Sequence, residues 1–179
     1  MVIRVIYNNE TIFIIIKKAV QNFTYIILFI ITLTLMKIST ISFKKYGLFL
    51  SKFYMQMLLG VIVSIIMLIA QLIFFRSIPQ IPSQLIYTLI SQFNVSISEE
   101  TFWRGFILEN VEEIIKSNNM TVFISALLFA LYHYPINHSI SQVINAFFLG
   151  IVFGVLRTEF KETIEIPTLA TAHAIINIF

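Results

Sequence analysis

Residues 53–75 run for twenty-three positions without a charged side chain. As a helix rising 1.5 Å per residue this stretch is about 34 Å long, enough to cross a hydrocarbon core of about 30 Å. A soluble fold of this size cannot hide that much apolar surface, so the chain is built for lipid, where a helix needs no polar coat. The remaining sequence agrees. Hydrophobic residues make up 58% of the 179, charged residues only 12%, and mean hydropathy is +0.90, whereas a soluble domain is roughly 25% charged.

Composition also excludes several chemistries. There is no cysteine, hence no disulfide framework, no thiolate zinc site and no cysteine nucleophile. The formal net charge is +3, but Lys and Arg gather at the ends of apolar segments, where they set topology, and no nucleic-acid function is read from them. Arg4 precedes an apolar stretch with no small-residue cleavage site, so a removable signal peptide is not expected.

The apolar pattern predicts an all-α, polytopic transmembrane helix bundle of about six spans: 19–36, 53–75, 85–108, 120–134, 140–156 and a short last helix, 166–179. Residues 37–52 form a connector with four lysines, and Arg76, Pro79 and Pro82 mark a loop. Glu109, Glu112 and Glu113 are expected to close the third span, Pro135 the fourth, and 157–165 is a charged connector. Gly150 and Gly154, one turn apart, are expected to bring helices together, within the bundle rather than between protomers. The division is an N-terminal membrane region, 1–84, and a core, 85–179.

Three late segments carry groups that lipid rejects. In the first, Glu100 and Arg104 stand one turn apart and are expected to pair, leaving Glu99, about 100° round the helix, to face a cavity. In the second, His133 ends an apolar helix; His138 lies in the loop beyond and is left outside the site. In the third, His173 and Asn177 share one helix face. Singly, each has an ordinary explanation: a solvated helix end or structural ion pair, an interfacial histidine, polar side chains bonding a neighbouring helix. Together they place two carboxylates, two imidazoles, a guanidinium and a carboxamide on three helices. Leaving them in lipid without a shared cavity costs on the order of several kcal/mol, so a common polar pocket is the economical arrangement.

In order and spacing these residues resemble the CPBP intramembrane protease family, which includes CAAX-processing endopeptidases and bacterial Abi proteins associated with bacteriocin immunity. The family pattern, EExxxR, then FxxxH, then HxxxN, is matched by Glu99-Glu100 with Arg104, Phe129 with His133, and His173 with Asn177. The resemblance implies an endopeptidase of the cell membrane. Its expected partners are membrane lipid and a membrane-associated peptide or protein substrate, prenylated or bacteriocin-related. It further implies that Glu99 activates water with help from His133, while His173 and Asn177 stabilise the oxyanion. Arg104 is expected to hold Glu100 so that Glu99 points inward. Glu99, His133 and His173 can also supply three ligands to a catalytic zinc, whereas a metal-free glutamate mechanism needs none. No HExxH motif stands in the chain, so both versions stay open.

Two other functions also stay open. One is a non-catalytic immunity or scaffold protein in which the cluster only supports packing or binds a toxin or its receptor. The other is a transporter component, against which the chain shows no internal repeat. Counting basic residues, Lys37, Lys44, Lys45, Lys52, Lys116, Arg157 and Lys161 outweigh Arg4, Lys17, Lys18 and Arg76 on the opposite side. The first group is therefore expected in the cytoplasm. That orientation puts Glu99 and His133 toward the outer side, whereas a CAAX-type enzyme is expected to open to the cytoplasm.

Overall fold

The computed structural model describes residues 2–39, 41–48, 52–75 and 81–179. Among them every regular element is helical: α1 (Val2–Ile38), α2 (Phe53–Phe75), α3 (Leu85–Glu100), a π-helical segment (Thr101–Ile107), α4 (Leu108–Ile115), α5 (Asn118–Asn137), α6 (Ile140–Glu159) and α7 (Ile166–Ile176). Arg76 and Pro79, and the loop expected there, lie outside the described residues. Among the described residues, three segments are long and apolar enough to cross a membrane: Ile16–Ile38, Phe53–Ile73 and Ile140–Glu159. Their outer faces are bare hydrocarbon. Phe23 and Ile30 of α1, Leu58 and Ile66 of α2 and Phe148 of α6 are all exposed, as helices facing lipid require. The fold is a helical membrane bundle.

Several boundaries differ from the expected ones. The first span is the C-terminal part of a longer helix that begins at Val2. The third runs through the π-helical segment into α4, so Glu109, Glu112 and Glu113 ride on a helix instead of closing one. That helix ends at Lys116, which turns left-handed (φ 55°) and donates its N–H to the Glu112 carbonyl at 2.9 Å. Helix α5 passes Pro135 and closes at His138, also left-handed (φ 49°), whose N–H reaches the Tyr134 carbonyl at 2.8 Å. A proline this near a helix end removes one backbone bond, and the left-handed cap satisfies another.

Contacts between distant residues sort the helix ends. The 42–48 turn, α4, the start of α5, the end of α6 and the start of α7 meet at one end, called here the connector end. There the Gly47 carbonyl accepts the Ile166 N–H at 3.0 Å, Asn118 donates to Glu159 at 3.3 Å, and Lys45 pairs with Glu113. Most of the basic residues counted on one side belong to this end. Helices α1 and α3 run parallel, with Lys18 over the Tyr87 ring, Asn22 bonded to Ser91 and Asn94, and Met36 against Gly105.

Close helix approaches rest on small residues. A Cβ on Gly150 would lie 2.9 Å from Ala126 Cα, and one on Gly154 2.9 Å from Val122 Cγ1, so the glycine pair serves α5–α6 packing inside the bundle. Gly60 of α2 has the same role, its missing Cβ leaving space for the Thr168 carbonyl and Thr171 of α7. Buried Gln56, one turn before Gly60, donates to the Thr163 carbonyl at 3.0 Å and accepts the Glu165 N–H at 3.0 Å. Thus α2 fixes where α7 starts, and with it the height of His173.

Candidate active site

Glu99 and Glu100 are the last residues of α3, and the next seven wind more widely, the Leu108 N–H donating five residues back to the Trp103 carbonyl. Turns of this kind are rare and recur at functional sites. Across this one, Arg104 Nη1 donates to Glu100 Oε1 at 3.2 Å, with side chains 1% and 0% exposed. Arg104 Cζ also lies 4.2 Å from the Phe129 ring centroid and 5.6 Å from that of Phe153. The buried cation is therefore met by one carboxylate and two aromatic rings.

The same Glu100 oxygen accepts a second bond, from His173 Nδ1 at 2.7 Å. A carboxylate can only accept, so Nδ1 carries the hydrogen and Nε2 is turned toward the other carboxylate, 3.9 Å from Glu99 Oε2. Glu99 Oε1 accepts the Tyr25 hydroxyl of α1 at 2.9 Å. Phe129 and Phe153 enclose the His173 imidazole edge-on, with centroids 6.2 Å and 5.9 Å away. Among the described residues, Glu100 Oε2 and Arg104 Nη2 are buried without a hydrogen-bond partner, a cost that native proteins concentrate where polar groups have work to do.

Glu99, Glu100, Arg104 and His173 are thus one cluster. His133 is its neighbour through Phe129 rather than a partner of Glu99. Its Nδ1 donates to the Phe129 carbonyl at 2.8 Å and its ring lies 4.5 Å from that of Phe129. Asn177 is farther out. It caps α7, is exposed, and its side-chain amide donates to Gln92 at 3.4 Å. Gln92 precedes Glu99 by two turns of α3, about 10 Å along the axis, so His173 and Asn177 are not gathered as a pair.

Depth follows from the same helices. Glu99 stands about 21 Å beyond the start of α3, and His173 about 10 Å beyond the start of α7 at the connector end. Glu99 thus lies near mid-height of the bundle, about as far from the start of α3 as from the end of α4 at the connector end. His133, four residues before the end of α5, is nearer the opposite end.

Among the described residues no three His, Asp or Glu side chains are grouped to hold a metal ion. Glu99 and His173 approach each other, while the contacts of His133 are with Phe129 and Tyr132 rather than with either of them. In this arrangement Glu99, His133 and His173 do not form a zinc ligand set, and no step is routed through a metal.

A family model described as type II CAAX prenyl endopeptidase Rce1-like matches residues 81–179, more than half of the chain and every element from α3 to α7. The chain belongs to the Rce1-like family. Searches of curated proteins and of solved structures give no match. Members of the Rce1-like family are endopeptidases, and with three membrane-length apolar helices this one is an integral membrane protein.

Two features of this Rce1-like chain escaped the sequence reading. One is Tyr25, in a region read only as a membrane span; its signal was Asn22 and Tyr25 on one face of an apolar helix. The other is Arg157, expected in a charged connector. It is 2% exposed and pairs with fully buried Glu109 at 3.0 Å. It also donates to the carbonyls of Lys45 at 2.6 Å, Ile164 at 3.2 Å and Lys161 at 3.3 Å. Burial pushes the Glu109 carboxyl up from the usual carboxylate range, while Arg157 and Lys161 pull it down, with burial the stronger. This hub joins α4, α6, the 42–48 turn and the loop leading into α7.

Proposed function

We propose that the protein is a multi-pass enzyme of the cell membrane that hydrolyses a peptide bond in a prenylated, membrane-associated substrate, using water activated between Glu99 and His173. The observation carrying this reading is the 3.9 Å separation of Glu99 Oε2 and His173 Nε2 inside an apolar bundle. One water can reach both at about 2.8 Å. It then donates one hydrogen to each and turns a lone pair outward. Glu99 removes a proton as the water oxygen bonds to the scissile carbonyl carbon, and the charge passes to the carbonyl oxygen. The same carboxyl returns that proton to the departing amine as the C–N bond breaks.

Glu100 acts by orientation. Its bond to Nδ1 fixes the tautomer and aims Nε2, and Arg104 holds Glu100 in turn. This enlarges the role expected for Arg104, which supports the histidine as well as the helix. We assign His133 and Asn177 to substrate contact, since both are more exposed than the cluster. The prenyl group is taken from the family description, and the lipid-facing surface is a medium in which such a chain partitions.

The test is cleavage of a prenylated peptide and its unprenylated twin by purified protein in lipid. Loss of cleavage in Glu99→Gln, with preference for the prenylated peptide, supports the proposal. Undiminished cleavage by Glu99→Gln contradicts the catalytic assignment, and equal rates on both peptides contradict the substrate assignment.

A further inference from the structure

The family match begins at residue 81, so nothing in it concerns α1. Yet α1 supplies the hydrogen-bond donor on the proposed base: Tyr25 Oη lies 2.9 Å from Glu99 Oε1. We propose that Tyr25 is a positioning residue of the active site, holding Glu99 so that Oε2 is the oxygen presented to His173 and water. This inference rests on the catalytic reading of Glu99 given above.

Three observations carry it. First, the two carboxylate oxygens are divided between different neighbours, Oε1 with Tyr25 and Oε2 toward His173. Rotation of the carboxylate plane would break that division, and the phenol opposes rotation. Second, α1 is held in register by polar contacts unusual for an apolar helix. Ser91 Oγ donates to Asn22 Oδ1 at 3.2 Å, and Asn94 Nδ2 donates to the Asn22 carbonyl at 3.1 Å and to its Oδ1 at 3.2 Å. Lys18 lies 5.3 Å from the Tyr87 ring centroid. Lys18, Asn22 and Tyr25 follow at four- and three-residue steps, a single stripe laid along α3. In lipid no hydrophobic force draws two helices together, so such bonds decide where α1 sits. Third, the rest of that helix needs no phenol. Ile26, Ile27 and Ile30 around it are exposed to lipid, where tyrosine offers no advantage over isoleucine.

Tyr25→Phe keeps the ring and removes only the donor. The expected result is a fall in kcat of about ten- to a hundred-fold, the range for losing one hydrogen bond to a charged group. KM should stay within about two-fold, and any shift in the midpoint of detergent unfolding should be no larger than one lost hydrogen bond accounts for. Thr24→Val, on the exposed neighbouring position, should leave both kinetic constants unchanged. A second variant, Asn22→Leu, removes the register bonds without touching Glu99 and should lower kcat in the same direction. Unaltered kcat in Tyr25→Phe overturns the inference, as does a loss shared by KM, which marks a packing role. Glu99→Gln measured alongside separates the two levels. If it retains activity, the catalytic reading fails; if it is inactive while Tyr25→Phe is fully active, only the role of Tyr25 fails.

Discussion

Replacing Arg157 by methionine conserves most of the side-chain volume while removing the charge at the centre of the connector end. Glu109, fully buried, is then left with Lys161, whose Nζ is 3.1 Å from Oε2. Removing one partner of a buried ion pair costs about 3–5 kcal/mol, and the retained lysine places this case near 3. The carbonyls of Lys45, Lys161 and Ile164 also lose a donor, a contribution of about 1 kcal/mol in all where loops can rehydrate. The expected destabilisation of Arg157→Met at pH 7 is therefore about 4 kcal/mol, measured by mixed-micelle unfolding. Adding Glu109→Gln should return at least half, because the stranded charge is gone.

The pH dependence has a definite sign. A carboxyl raised above its unfolded value of 4.5 contributes stability that is fully present below that value and lost as pH rises through the folded one. Removing Arg157 takes away a lowering influence, so the deficit of the variant should be greatest near neutrality and shrink as pH falls toward 4.5. A variant within about 1 kcal/mol of the parent at pH 7, or a deficit that grows on acidification, would refute this reasoning.

Two further outcomes are expected. Gly150→Leu should destabilise the α5–α6 contact by about 1–3 kcal/mol, whereas Gly154→Ala should cost less, since it meets the movable Val122 side chain rather than the Ala126 backbone; equal losses in unfolding measurements would contradict this packing. Because Glu99, His133 and His173 do not converge at ligating distance, exhaustive chelation should leave peptide cleavage at its starting rate. A loss restored by zinc would show that these three groups rearrange around a metal.

Much of the bundle was legible because a helix in lipid is apolar on its exposed face as well as its packed one, so a span shows as an unbroken apolar run. The span 53–75 coincides with α2, and the Gly150–Gly154 step marks a real helix contact. Glu100 with Arg104 was legible because both partners lie on one helix. What escaped depends on contacts between helices. No periodicity reveals that Glu100 also takes His173, that Tyr25 reaches across from α1 to Glu99, or that Asn177 turns to Gln92. Arg157 and Glu109 were misplaced for a related reason. Charges at helix ends look solvated in sequence, and only the folded turn at 42–48, with Gly47 left-handed (φ 76°) against the guanidinium, shows that this pair is enclosed. The wide turn after Glu100 carries no composition signal at all.

The most direct test of the proposed chemistry is a double-mutant cycle on Glu99 and His173, scored by single-turnover cleavage of a prenylated peptide in lipid. Groups that act on one water behave as a unit, so either loss alone disables the step. Glu99→Gln and His173→Gln are each expected to lower the rate by about a thousand-fold or more, with the double variant no slower than the worse single. Rates that fall independently and multiply in the double variant, or cleavage that survives either change, would contradict a shared water between these side chains.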